Sequence, residues 1–124
     1  MATLNRVQLI GRLGRDPETR YTPTGKKVTN FSIAVNRRWK GEDGEFKEST
    51  DWFNIEAWGY VGEKCQENLS KGRQVYLEGR LHTDRVGEGE EARYYTKVVA
   101  LNVQILDRKP EEKAVEEEEE FPFG

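Results

Sequence analysis

The chain has 124 residues, enough for one domain with its own core and too few for two. No apolar run nears the roughly 18 residues that span a bilayer, and no basic, apolar, small-residue leader opens the chain, so a soluble cytosolic protein is expected. The formal charge of −3 divides unevenly: residues 1–108 hold 18 Lys and Arg against 16 Asp and Glu, while residues 109–124 hold 2 against 7.

A mildly basic body can meet a polyanion, and an acidic tail avoids one. So small a basic excess leaves any nucleic-acid affinity to the placement of individual charges. The single cysteine, Cys65, has no partner for an internal disulfide, which agrees with a reducing compartment.

In chain order, "LNRVQLIGRL" reads as a first strand ending near Gly14. Asp16-Pro17 and Thr22–Lys26 are turn signals, with Pro fixing φ and Gly permitting a positive one. "VTNFSIAVN" alternates, with Phe31, Ile33 and Val35 on one face. A polar, glycine-containing hairpin loop, "KGEDGEF", leads into "TDWFNIEAWG", which alternates again. The period then changes: Val61, Cys65 and Leu69 are spaced as the stripe of a short helix, and Gly72 is placed to end it. "RQVYLEGRLHT" sets Val75, Leu77 and Leu81 on one face, and "VGEGEEAR" is a second acidic hairpin loop. "YYTKVVALNVQIL" closes the body with Tyr95, Val99, Leu101, Val103 and Ile105 on one face.

Five strands with one short helix between the third and fourth predict an all-β chain, a five-stranded Greek-key barrel of the OB type over residues 1–108. Residues 109–124 carry Pro110 and a glutamate run with almost nothing to join a core, so a disordered acidic tail is expected.

The strand "TDWFNIEAWG" carries the most chemistry. Side chains alternate across a strand, so Phe53, Ile55 and Ala57 share the core face and Trp52, Asn54, Glu56 and Trp58 share the outer one. Trp52 and Trp58 are six residues apart, which is roughly 20 Å along a strand and too far for one core cluster. Trp39, flanked by Arg37, Arg38 and Lys40, is expected at the surface as well. Spaced aromatics among basic residues suit single-stranded nucleic acid, because every base has a π face and cations track the phosphates between stacks. Candidate phosphate partners are Arg37, Arg38, Lys40, Lys71 and Arg85, with Arg12 and Arg80 behind them. The structural alternative is that the tryptophans pack under a loop or in a subunit interface.

Other signals are weaker. "TPTGKK" lacks the first glycine and the final hydroxyl residue of a phosphate loop. His82 has no Cys or second His at metal-ligand spacing, and Cys65 lies on the apolar stripe of the helix. Asp16, Glu18, Asp51 and Glu56 are scattered carboxylates without a nuclease constellation, so no catalytic residue, metal or cofactor is expected.

"NRVQLIGRLGRDPETRYTPTGKKVTNFSIAVN", "TDWFNIEAWG", "LSKGRQVYLEGRL" and an acidic tail ending in Pro-Phe together resemble the bacterial single-stranded DNA-binding proteins, in order from Asn5 to Phe123. The resemblance implies a non-enzymatic OB-fold homotetramer that binds and protects single-stranded DNA in replication, recombination and repair, associated with the nucleoid. Trp39, Trp52 and Trp58 match the family's stacking positions, and Lys71 and Arg85 match basic positions near the DNA path. Val86 stands where a fourth stacking tryptophan often occurs, which leaves Tyr94 or Tyr95 as a partial substitute. Phe53 replaces an interface histidine of some members. The tail tip, Glu119, Glu120, Phe121, Pro122 and Phe123, matches a peptide that docks on DNA-processing proteins, although here the last residue is Gly124 rather than the phenylalanine. The alternative reading is an OB-fold RNA-binding or primosome-type accessory protein.

Overall fold

Short alternating segments bury one face each, and their shared solution is a sheet closed upon itself. A computed structural model describes residues 1–107. Its elements are β1 (Val7–Leu13), β2 (Glu18–Tyr21), β3 (Lys27–Lys40), β4 (Phe46–Trp58), α1 (Gly59–Asn68), β5 (Gln74–Val86) and β6 (Arg93–Ile105). The hydrogen-bonded order is β1-β5-β6-β4-β3, and β3 returns to β1 through Leu13↔Ile33 and Arg12↔Ala34. Five strands therefore close a barrel, as the alternation predicts, with the helix between the third and fourth strands of that ring.

The sixth strand, β2, pairs with β3 through Glu18↔Asn30 to Tyr21↔Lys27. It continues the path of β1 along the same edge of β3 after the Gly14–Pro17 break, with the register slipped by two residues. Four residues are too few to show a period, which is why only the turns on either side were legible. The second turn closes through Gly25 N–H to the Thr22 carbonyl at 2.8 Å, with Gly25 at φ +87.

Phe31, Ile33, Ile55, Ala57, Val75, Leu77 and Val98 fill the barrel, and Cys65 and Leu69 of the α1 region plug one end. Val61 and Phe53 pack against this core half-buried. The helix stops at Asn68, earlier than Gly72 suggested, because Leu69 turns extended and drops into the core. Gly72, at φ +88, serves the following turn, where its N–H donates to the Leu13 carbonyl at 2.8 Å. Burial pushes the Cys65 thiol up to about 11, with Lys64 pulling weakly the other way, so it stays a protonated apolar filler at neutral pH.

The last strand departs from simple alternation. Glu78 faces Asn102, but Gly79 faces Ala100, so Leu101 is an extra residue in a bulge. The bulge changes the phase of β6: Val98 and Ala100 point inward before it and Val103 after it, while Leu101 and Tyr95 are exposed. Gly79 permits the close approach, since a Cβ there would lie 2.1 Å from the Val99 carbonyl oxygen. Leu81, expected inside with Val75 and Leu77, lies where the β5–β6 hairpin leaves the barrel and is exposed. No helix among the described residues is long and apolar enough to cross a membrane.

Candidate nucleic-acid interface

β3 and β4 form one long antiparallel ribbon whose far end projects past the barrel. Its register sets Ala34 against Trp52, Ser32 against Asn54, Asn30 against Glu56 and Val28 against Trp58. Cross-strand partners share a face, so Trp52, Asn54, Glu56 and Trp58 line the outer side, opposite buried Ile55 and Ala57. Trp52 is 60% exposed, and its ring lies over Gly14, where a Cβ would come within 2.5 Å of it. Trp58 is 37% exposed, and its indole N–H donates to Glu56 Oε1 at 2.6 Å. Between the two indoles runs a groove of about 200 Å³ lined by Arg15, Asn30, Asn54, Glu56 and Lys97.

The other sequence-predicted residues divide between faces. Arg38 and Lys40 occupy the same alternation of β3 as Ala34, so they continue the Trp52 face toward the ribbon tip. The Arg38 guanidinium sits 4.4 Å from the Phe46 ring centroid and 3.9 Å from Glu48. Trp39 and Arg37 occupy the opposite alternation, across from Lys47 and Ser49, and therefore the other face of the ribbon. There the Arg37 guanidinium stacks 4.8 Å from the Trp39 ring centroid. Both cations remain exposed beside their aromatics, within cation–π range.

Lys71 lies in the turn after α1, where its backbone N–H donates to Asp16 Oδ1 at 2.8 Å. That bond ties the turn to the β1–β2 break, two residues beyond Gly14 and the bed of Trp52. Arg85 is exposed on the β5–β6 hairpin opposite Tyr94. Val86 is exposed too, and of the two tyrosines it is Tyr95 that shares its face. Glu119, Glu120, Phe121, Pro122 and Phe123 lie outside the described residues.

Sequence reasoning missed a polar chain that crosses three strands. Lys97 Nζ donates to Glu56 Oε2 at 2.7 Å and to Asp84 Oδ2 at 2.8 Å, and Asp84 Oδ1 meets His82 Nε2 at 3.0 Å. Burial opposes the charge on Lys97, but Asp84 and Glu56 more than offset it and raise the ammonium above its ordinary value. The hydrogen bond from Lys97, with smaller help from His82, holds Asp84 below its ordinary 3.8. A lowered acid and a raised base keep this pair charged across the neutral range; it is lost only in acid below 3.8 or in alkali above 10.5. The Glu56–Trp58 half was visible as an i, i+2 pair on one strand face. Lys97, 41 residues away, was not. Among the described residues no group of three or more His, Cys, Asp or Glu is placed to hold a metal ion.

A family model described as the single-strand binding protein family matches residues 4–106. The chain is 43% identical over 108 residues to single-stranded DNA-binding protein 1 of Chlorobaculum tepidum, covering 86% of this chain and 67% of that one. It is 39% identical over 120 residues to the single-stranded DNA-binding protein of Aquifex aeolicus, covering 96% and 82%. Among solved structures it is similar to a Plasmodium falciparum SSB in complex with single-stranded DNA, with a TM-score of 0.78, 31% identity, and 86% and 98% coverage of the two chains. A deletion mutant of the Thermus aquaticus single-stranded DNA-binding protein matches with a TM-score of 0.75, 28% identity, and 86% and 52% coverage.

Proposed function

The chain belongs to the single-strand binding protein family, and from that premise we propose that it binds single-stranded DNA without sequence preference by stacking bases on its exposed tryptophans. The observation that carries this reading is the pair Trp52 and Trp58, exposed on one face of one uninterrupted strand with a polar groove between them. A strand holds such platforms at fixed spacing, so successive stacks cost little reorganisation. Trp39 on the reverse of the ribbon extends the path around its edge, and Arg37, Arg38, Lys40, Lys71 and Arg85 meet the phosphates. The activity is binding, with no chemical step. In a bacterial cell it belongs with the DNA, in the cytoplasm and nucleoid. RNA binding, the alternative, would require affinity for oligo(rU) to equal or exceed that for oligo(dT).

Titration with oligo(dT) tests the proposal. Stacking should quench the intrinsic tryptophan fluorescence, and log K should fall linearly with log salt by about 0.7 per phosphate neutralised on a single strand. An unquenched signal, or an affinity indifferent to salt, would remove the stacking and phosphate roles respectively.

The proposal extends to assembly and to the tail. The functional unit is a homotetramer, and residues 109–124 recruit DNA replication and repair proteins, with Phe121, Pro122 and Phe123 as the apolar anchor and Glu119 and Glu120 beside it. A tethered anchor works by raising local concentration, while its acids discourage collapse onto the core. Light scattering on the full chain and on one lacking residues 109–124, each with and without oligo(dT), checks both parts. A tetramer mass and retained DNA binding are expected for both chains. A monomeric mass overturns the assembly, and lost binding in the shortened chain overturns the separation of roles.

A further inference from the structure

An acid in the middle of a surface that meets a polyanion is electrostatically misplaced, yet Glu56 sits between Trp52 and Trp58. It is only 5% exposed. Burying a carboxylate is costly, and an apolar side chain of similar size usually serves stability as well or better. Core packing does not explain it either, because Glu56 lies on the outer alternation of β4, across from Asn30.

Its bonds do explain it. One carboxylate oxygen accepts the indole N–H of Trp58 at 2.6 Å, and the other accepts Lys97 Nζ at 2.7 Å. The indole has a single donor, and a bond to an ionised acceptor is among the stronger hydrogen bonds available to it. Lys97 neutralises the acid, and Asp84 holds the ammonium from its other side, itself met by His82. Arg15, Asn30 and Asn54 supply the other polar lining of the groove around the carboxylate, above Phe31 and Ile55. The resulting chain runs from β5 through β6 to β4 and ends there on the ring of Trp58.

We infer that Glu56 and Lys97 are positioning residues for Trp58, fixing the plane of its indole before DNA arrives. The inference rests on the stacking reading above and assigns the network a purpose within it. A tryptophan at the surface rotates about two side-chain bonds, and ordering it on binding weakens association. The carboxylate pre-orders it, and Lys97, paired with it at 2.7 Å, offsets its charge toward the phosphates. Trp52 reaches the same end by another route, with its ring laid over Gly14.

The test uses Trp58 as the sole tryptophan, in a chain carrying Trp39→Phe and Trp52→Phe. Glu56→Val in that chain should lower the fluorescence anisotropy of Trp58 in the free protein and weaken binding of labelled oligo(dT) by about 2- to 10-fold. The melting temperature should fall, because Lys97 loses one of its two carboxylate partners, with Asp84 still holding the ammonium to limit the loss. Glu56→Gln, whose amide oxygen still accepts the indole N–H, should recover most of the affinity. In the otherwise unaltered protein the Trp58 indole proton should exchange slowly with solvent, a reading that stands even if the valine variant fails to fold. Unchanged anisotropy and unchanged affinity in Glu56→Val, or fast exchange of the indole proton, overturn the inference. Failure of the unaltered protein to bind oligo(dT) overturns the stacking proposal instead, and leaves the anisotropy and exchange readings to decide whether the ring is held.

Discussion

Alanine at both Trp52 and Trp58 should weaken oligo(dT) binding by about 2–6 kcal/mol, twice the ~1–3 kcal/mol expected for one lost stack. The two losses should add, because roughly 20 Å of strand separates the rings at about 3.3 Å per residue and the sites share no partner. Stability should change little, since Trp52 is 60% and Trp58 37% exposed and neither belongs to the core cluster. The consequences differ in kind. At position 52 the change exposes Gly14 and removes a platform; at position 58 it also deprives Glu56 of its donor, while Lys97 still satisfies the carboxylate. The measurement is anisotropy of labelled oligo(dT) at one fixed salt concentration, beside a thermal melt of the free protein. An affinity equal to that of the unaltered protein would show that the outer face of β4 is not where bases stack.

Asp107→Ala should cost about 3–5 kcal/mol of folding stability, the typical loss when one member of a buried ion pair is removed. Arg73 is 6% exposed, and its Nε donates to Asp107 Oδ1 at 3.0 Å while Nη2 donates to the Asp107 backbone carbonyl at 3.0 Å. Without the carboxylate the guanidinium remains buried beside a single carbonyl. The site also anchors the end of the barrel: Leu106 N–H donates to the Gln74 carbonyl at 2.9 Å just before it, and Arg73 follows the turn that Gly72 makes against Leu13. Urea denaturation reads the loss. Arg12→Ala is the matched control, because Arg12 meets the same carboxylate at 3.4 Å from an exposed position, where an ion pair contributes about 1 kcal/mol or less. Arg73→Met with Asp107→Ala should recover much of the stability by removing both charges. A midpoint for Asp107→Ala that matches the unaltered protein would mean the pair is not holding the last strand.

Legibility followed the range of the physics. The 52–58 segment was readable because a strand alternates residue by residue, so the separation of Trp52 and Trp58 from Ile55 and Ala57 needs no neighbour to define it. The helix stripe through Val61, Cys65 and Leu69 was readable for the same reason. Trp39 shows the limit: its neighbours Arg37, Arg38 and Lys40 were equally plausible phosphate partners in a linear reading. Only the pairing of Trp39 with Lys47 and of Lys40 with Phe46 assigns them to opposite faces. Leu101 shows it again, because the bulge that turns it outward exists only where Gly79 meets Ala100 across two strands.

Local alternation, turn chemistry and charge segregation are properties of adjacent residues, and by themselves they determined the barrel, the helix between its third and fourth strands and the outward direction of Trp52 and Trp58. Tertiary structure alone decided which cations share a face with which aromatics, that Tyr95 rather than Tyr94 lies beside Val86, and that Glu56 is clamped between Trp58 and Lys97. Those choices depend on how far each hairpin strand runs and on which residues pair across it, and, for Glu56 and Lys97, on strands 41 residues apart in the chain. The pattern of one strand does not specify its register against another.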